Sequence, residues 1–330
     1  MGLLVERKAF KPFEYVWAFE AWKMQQQTHW LPEEVPMADD IRDWKYKLTT
    51  AEKNLCTQIF RLFTQMDIEV NDCYMTKYAS IFKPVEIQMM LSAFSSMETI
   101  HVVAYSHLVE TLGMSDDLYQ EFLKYAQMKA KYDYLHDFKH NDKEGIALTL
   151  AVFGAFTEGM QLFSSFAILL NFTRFGKMKG MGQIITWSVR DETLHTLSII
   201  RLFHEFINEN PEIKTPKLFE TIKQVCKRMV ELEDDFIDLA FEIDGAVEGL
   251  TAGEVKQYIR FIANRRLNQL GIEAIFEAAE NPLQSWLDPI LNGVEHANFF
   301  EVRATEYSKS ATLGTWEDAF EVHNVRSELI

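Results

Sequence analysis

Glu98-Thr99-Ile100-His101 recurs further along the chain as Glu192-Thr193-Leu194-His195. Residues three apart share one side of an α-helix, so each stretch offers a metal ion a carboxylate oxygen and an imidazole nitrogen from a single face. One such helix is half a site; two that face each other make a whole one. In so acidic a chain the repeated spacing is by itself a modest signal, and the surrounding helices decide what it means.

The chain has 330 residues with only 14 Gly and 8 Pro, and long stretches pass without either. That composition favours long helices over a turn-rich β fold. The formal net charge of −16 repels phosphate backbones and anionic head groups, so neither nucleic-acid nor membrane-surface binding is expected. Cys56, Cys73 and Cys226 form no Cys-x-x-Cys pair, which argues against a disulfide framework or a thiolate zinc site and fits a reducing cytoplasm. The N-terminus sets its few apolar residues ahead of Glu6, Arg7 and Lys8, and no export signal or membrane span is expected.

Residues 10–30 are rich in aromatics and partly helical in pattern, and Trp30-Leu31-Pro32-Glu33-Glu34-Val35-Pro36 then breaks any helix with two prolines. Trp30 at such a junction reads first as a core anchor. Thr49-Thr50-Ala51-Glu52 has capping-box spacing and starts a helix to about Phe82, along which Phe60, Phe63, Asp67, Val70 and Tyr74 fall on one stripe. Asp67 is thus a carboxylate among apolar neighbours, either hydrogen-bonded structurally or a metal ligand. Pro84 opens a helix ending at Gly113, with Leu91, Phe94, Glu98, His101, Val102 and Tyr105 facing inward. Tyr105 taken alone is a core residue one turn beyond His101. Ser115-Asp116-Asp117 caps a helix to near Phe138, whose His136 and His140 carry no chemistry.

From about Lys143 to Phe175 the chain is apolar all round, which predicts a central buried helix. Glu158 is the one acidic residue between Glu144 and Asp191, and a lone ionised carboxylate there needs a cation. Gly154 and Gly159 flank it and permit a π-bulge. A Gly/Lys-rich turn over 176–182 leads into the helix carrying Asp191, Glu192 and His195, which runs to about Asn208. Further helices are expected from Thr215-Pro216 to about Asp244 and from Thr251 to Gly271. Residues 1–297 read as one helical domain and 298–330 as a docking tail with Tyr307, Trp316 and Phe320.

Four apolar helices therefore present Asp67, Glu98, Glu158 and Glu192 inward, with His101 and His195 on two of them. Two divalent cations would neutralise four carboxylates, and this is the donor pattern of the dinuclear carboxylate four-helix bundles. Gaps of 31 residues from Asp67 to Glu98 and 34 from Glu158 to Glu192 suit two helix hairpins. Oxygen and nitrogen donors without thiolate suit iron or manganese, which undergo redox chemistry with oxygen where zinc and magnesium do not. Asp191 is either a surface carboxylate or the acceptor that fixes a ligating imidazole.

On these residues, together with His29-Trp30-Leu31-Pro32-Glu33-Glu34-Val35, Arg190-Asp191-Glu192 and Asn298-Phe299-Phe300-Glu301, the sequence resembles the small (beta) subunit of class I ribonucleotide reductase along nearly its whole length. The resemblance implies an all-α, ferritin-like four-helix bundle with Asp67, Glu98, His101, Glu158, Glu192 and His195 as ligands of a dinuclear centre, Fe/Fe, Mn/Mn or Mn/Fe. It implies a tyrosyl radical at Tyr105 after reaction with an oxygen species, or an oxidant kept on the metals. It implies a relay through Trp30, Asp191 and His101, and a tail tyrosine, Tyr307, that passes the oxidising equivalent to the large (alpha) subunit, where a ribonucleotide is reduced. A homodimer is implied as well. Leu162, one turn after Glu158, stands where many relatives carry an aromatic. A different dinuclear oxidase or desaturase on the same bundle, or an iron store or helical scaffold, are the competing readings.

Overall fold

The computed structural model describes residues 2–243, 247–277 and 280–291, and every regular element among them is helical. In chain order the main helices are α1 (Val16–Gln27), α2 (Ala38–Tyr46), α3 (Thr50–Asp72), α4 (Val85–Thr111), α5 (Ala126–His136), α6 (Lys143–Leu150), α7 (Leu162–Arg174), α8 (Lys179–Glu209), α9 (Pro216–Ala240) and α10 (Ala252–Gln269). A π-helix, Ala151–Gln161, joins α6 to α7 without a break. The tail expected over 298–330, Tyr307 with it, lies outside the described residues.

The core is a bundle in which α3 packs along α4 and α8 packs along the π-helix and α7. Helix α1 lies across α4 and α8, while α9 and α10 cover the π-helix from the other side. The local causes are mostly those read from sequence. Thr49 and Glu52 form the reciprocal capping box of α3, Thr251 and Glu254 that of α10, and Thr215 accepts from the Leu218 amide at the start of α9. Helix α4 stops because Gly113 turns left-handed at φ 71°, a conformation that costs glycine little.

Two expectations fail. The helix expected from Ser115 to Phe138 is broken: Tyr125 is extended, and Arg61 lies over its ring at 4.5 Å while pairing with Glu121 at 3.1 Å, so the break closes around the Arg61 guanidinium. The turn expected over 176–182 ends early, since α8 already starts at Lys179. Its first amides are satisfied from far away: Gly180 and Met181 N–H donate to the two oxygens of Asp40 at 2.8 Å each, and Met178 N–H donates to Asp43. Asp40 and Asp43 stand on α2, which the sequence pattern did not reveal.

The segment Lys143–Arg174 is long and apolar enough to cross a membrane, yet 94% of its apolar window is buried inside the bundle. The irregularity anticipated from Gly154 and Gly159 is a full eleven-residue π-helix. Both glycines are places of close approach: a Cβ at Gly154 would sit 2.3 Å from Ile199 Cγ2, and one at Gly159 would sit 2.7 Å from Thr196 Cγ2 and 2.8 Å from Arg266 Nε. The i→i+5 pattern leaves carbonyls in need of donors. Thr157 Oγ1 donates to the Val152 carbonyl at 3.0 Å, and the buried Arg266 donates Nε to the Gly159 carbonyl at 2.7 Å. Burial with no acidic partner in that bond lowers the Arg266 guanidinium to about 9. Gly154→Ala is expected to destabilise the fold by about 1–3 kcal/mol through overpacking against α8. A denaturant midpoint equal to that of the native chain would contradict this.

Candidate metal centre

All six residues expected from the sequence come together in the middle of the bundle, each with no more than 1% of its surface exposed. Donor atoms of Asp67, Glu98 and His101 lie within 4.8 Å of one another, as do those of Glu98, Glu158, Glu192 and His195. Glu98 belongs to both groups. Its Oε2 is 3.3 Å from His101 Nδ1 and its Oε1 is 2.9 Å from His195 Nδ1. Glu192 repeats the arrangement, with Oε1 3.1 Å from His101 Nδ1 and Oε2 3.7 Å from His195 Nδ1. Two carboxylates thus span two imidazoles, while Asp67 stands at the His101 end and Glu158 at the His195 end.

The donor set fits a pair of cations. Asp67 Oδ2, Glu98 Oε1, Glu158 Oε2, Glu192 Oε2 and His195 Nδ1 are buried without a hydrogen-bond partner, the 2.9 Å pair of Glu98 and His195 being out of alignment for one. Orphaned buried oxygens of this number are costly unless a cation meets them. Protons respond to the same deficit. Burial raises Asp67 well above the usual carboxylate range and Glu98 adds to it, and burial pushes Glu158 up to about 8 against the pull of His195. Burial would also raise Glu98, but His101 and His195 beside it bring it down to about 2. Burial opposes charge on His101 and His195, and the surrounding carboxylates outweigh it and hold both far above the usual histidine value. Cations binding here would displace such protons.

The far nitrogens of the imidazoles are also fixed. His101 Nε2 donates to Asp191 Oδ2 at 3.3 Å, and Trp30 Nε1 donates to the same oxygen at 2.8 Å. Asp191 is therefore no surface residue: it is 1% exposed, and although burial opposes its charge, the His101 hydrogen bond and Arg190 keep it below the ordinary aspartate value. Arg190 donates to Asp191 Oδ1 at 3.2 Å and to the Thr28 carbonyl at 2.6 Å. Trp30, 2% exposed, packs on Trp187 with ring centroids 5.1 Å apart.

Sequence reading missed Gln25. Its Nε2 donates to Asp191 Oδ1 at 3.3 Å and its Oε1 accepts from His195 Nε2 at 3.0 Å, so one side chain ties the outer nitrogens of both histidines into a single network. The available signal was its register: Ala18, Ala21 and Gln25 make the buried stripe of α1, where a glutamine needs partners. Tyr105 is 1% exposed, 4.7 Å from the Phe63 ring and 6.5 Å from the His101 ring. Its hydroxyl donates to Ser188 Oγ at 3.0 Å rather than to a cluster carboxylate. Ser188 also went unnoticed, although it lies one turn before Glu192 on the same face of α8.

The family model of the ribonucleotide reductase small chain matches residues 7–282. A probable ribonucleoside-diphosphate reductase small subunit of Invertebrate iridescent virus 6 is 43% identical over 96% of this chain and 98% of its own length. The ribonucleoside-diphosphate reductase subunit beta of Chlamydia pneumoniae is 30% identical over 92% and 90%. Among solved structures, a putative class I ribonucleotide reductase from Bacillus halodurans superposes with a TM-score of 0.78 at 25% identity, covering 84% of this chain and all of that one. A dimanganese(II)-NrdF of Streptococcus sanguinis superposes with a TM-score of 0.75 at 21% identity, over 88% and 99%, and speaks for the fold alone. With the bundle, its buried carboxylate and histidine cluster and these likenesses in agreement, the chain belongs to the small-subunit family of ribonucleotide reductase and works with a large subunit in making deoxyribonucleotides.

Proposed function

We propose that this small subunit generates the oxidising equivalent at a dinuclear centre that Asp67, Glu98, His101, Glu158, Glu192 and His195 would hold. The observation that carries this reading is the pair of carboxylates that each turn one oxygen to His101 and the other to His195, with buried oxygens left unpartnered around them. Iron or manganese in that position supplies oxidation by an oxygen species, and a dimanganese pair is one occupant these donors accommodate. The protein residues do the rest. Asp191 keeps the His101 proton on Nε2, so that Nδ1 faces the cluster, and Gln25 does the same for His195. Trp30, hydrogen-bonded to Asp191 and through it to His101, would relay the electron between the centre and the surface. Tyr105, buried against Phe63 and hydrogen-bonded to Ser188, is the residue that would store the equivalent as a radical.

Tyr307 then carries the equivalent to the large subunit, where a cysteine radical begins ribonucleotide reduction. A homodimer is supported by Ile68 on α3, Met75 on the π-helical turn Cys73–Tyr78 that follows it and Val103 on α4, which are 46%, 58% and 50% exposed on adjacent segments. Three free, buried cysteines suit a reducing cytoplasm.

Reconstitution with Fe(II) or Mn(II) and exposure to an oxygen species, followed by elemental analysis and electron paramagnetic resonance on one sample, tests this. Two ions per chain and a narrow organic-radical signal are expected, and Tyr105→Phe should lose the signal while keeping both ions. A Tyr105→Phe protein with an unchanged radical signal would put the stored equivalent elsewhere.

A further inference from the structure

A second tyrosine touches the cluster more directly than Tyr105 does. Tyr74 stands on the π-helical turn Cys73–Tyr78 that continues α3, is 2% exposed, and donates its hydroxyl to Glu158 Oε1 at 2.5 Å. Its ring meets the His195 ring edge-on at 6.2 Å and the Phe94 ring at 6.1 Å, so the phenol cannot swing away without displacing both. The other oxygen, Glu158 Oε2, is buried and unpartnered. Among the carboxylates of the cluster Glu158 is thus the one with an oxygen already committed to a phenol. We propose that Tyr74 is a positioning residue that, through Glu158 Oε1, which also lies 3.6 Å from His195 Nδ1, fixes the Glu158 carboxylate at the metal position it shares with Glu98, Glu192 and His195.

The physical case has three parts. A short hydrogen bond from a phenol to a carboxylate is among the stronger ones a side chain makes, and burial in a low-dielectric interior strengthens it. Glu158 is carried by a π-helix, a wider and less common helical form, so its aim needs support from outside that helix. The support comes from another π-helical turn, on the chain segment that also supplies Asp67. The two ends of the cluster therefore differ: Asp67 Oδ2 is free and no tyrosine is bonded to it, whereas Glu158 is held.

The proposal rests on the dinuclear reading above, and one titration separates them. Mn(II) binding to the metal-free full chain is followed by the loss of the free-ion resonance signal. The native protein should bind two equivalents. In Tyr74→Phe, the equivalent that Glu158→Gln also removes should bind ~10–100-fold more weakly, the range found when a partner of a metal ligand is lost. The other equivalent should be unchanged, as should thermal unfolding of the metal-free protein. Tyr78→Phe, which removes a buried hydroxyl from the same turn, should leave both equivalents unchanged. Equal or tighter binding in Tyr74→Phe overturns the proposal and leaves the dinuclear reading intact. Weakening of both equivalents together with a lower unfolding temperature overturns it in favour of a packing role. A native protein that binds fewer than two ions overturns both.

Discussion

Glu98→Ala is expected to empty both metal positions. Asp67 and Glu158 each face one histidine, but Glu98 is within 3.3 Å of both Nδ1 atoms and belongs to both groups of donors. Alanine removes two donor oxygens and one of the four buried carboxylates that make a place for cations. Loss of an outer partner already costs ~10–100-fold in metal affinity or activity, so loss of a shared ligand should exceed about 100-fold. The measurement is metal content after desalting, paired with deoxyribonucleotide formation alongside the large subunit. A Glu98→Ala chain that still holds two ions would remove Glu98 from the centre. Alanine is preferred to glutamine, which keeps an oxygen able to bind.

The largest effect on stability is expected far from the cluster. Lys131 on α5 and Glu233 on α9 form an ion pair at 2.5 Å with side chains 1% and 0% exposed. Ser164 also donates to Glu233, and the Lys131 ammonium lies 4.9 Å from the Phe236 ring centroid. Lys131→Met leaves the Glu233 carboxylate in the interior without its cationic partner, which should cost about 3–5 kcal/mol. Adding Glu233→Leu should recover most of that loss, because exchanging a whole buried pair for apolar groups is often neutral or stabilising. Ser164 stays satisfied in the double variant through the Gln161 carbonyl at 2.9 Å. Urea unfolding of the single and double variants decides it: a single variant as stable as the native chain would mean that the buried pair does not hold the fold.

The bundle and its six inward donors were legible because they follow from periodicity. A carboxylate recurring on an apolar stripe, as with Asp67 and Glu98, marks its own anomaly whatever it packs against. The same holds for Glu158, which stands out by being the lone acid in an apolar run. What stayed hidden depends on partners distant in the chain. The start of α8 is set by Asp40, 140 residues away, so no local pattern at 176–182 could report it. The role of Gln25 requires knowing that α1 crosses the bundle next to Asp191 and His195. Tyr74 was visible as a member of the α3 stripe, but its bond to Glu158 spans 84 residues. The relay of Trp30 and Asp191 was proposed from resemblance; Asp191 taken from its sequence alone could equally have faced solvent.

The network that closes over the histidines has a consequence for the order in which the protein is made. Trp30 and Gln25 reach Asp191 across 161 and 166 residues, and Gln25 reaches His195 across 170. At about 5–20 residues per second, the N-terminal segment leaves the ribosome roughly 8–30 s before its partners on α8 exist. During that interval Trp30 has no acceptor from Asp191, and of the two helices α1 packs across, only α4 has emerged to shelter it. The closing of the network is therefore a late step of folding. Until α8 has arrived, the nascent chain can hold an ion by no more than part of its ligand set, without Glu192 or His195 and without the aspartate that orients His101.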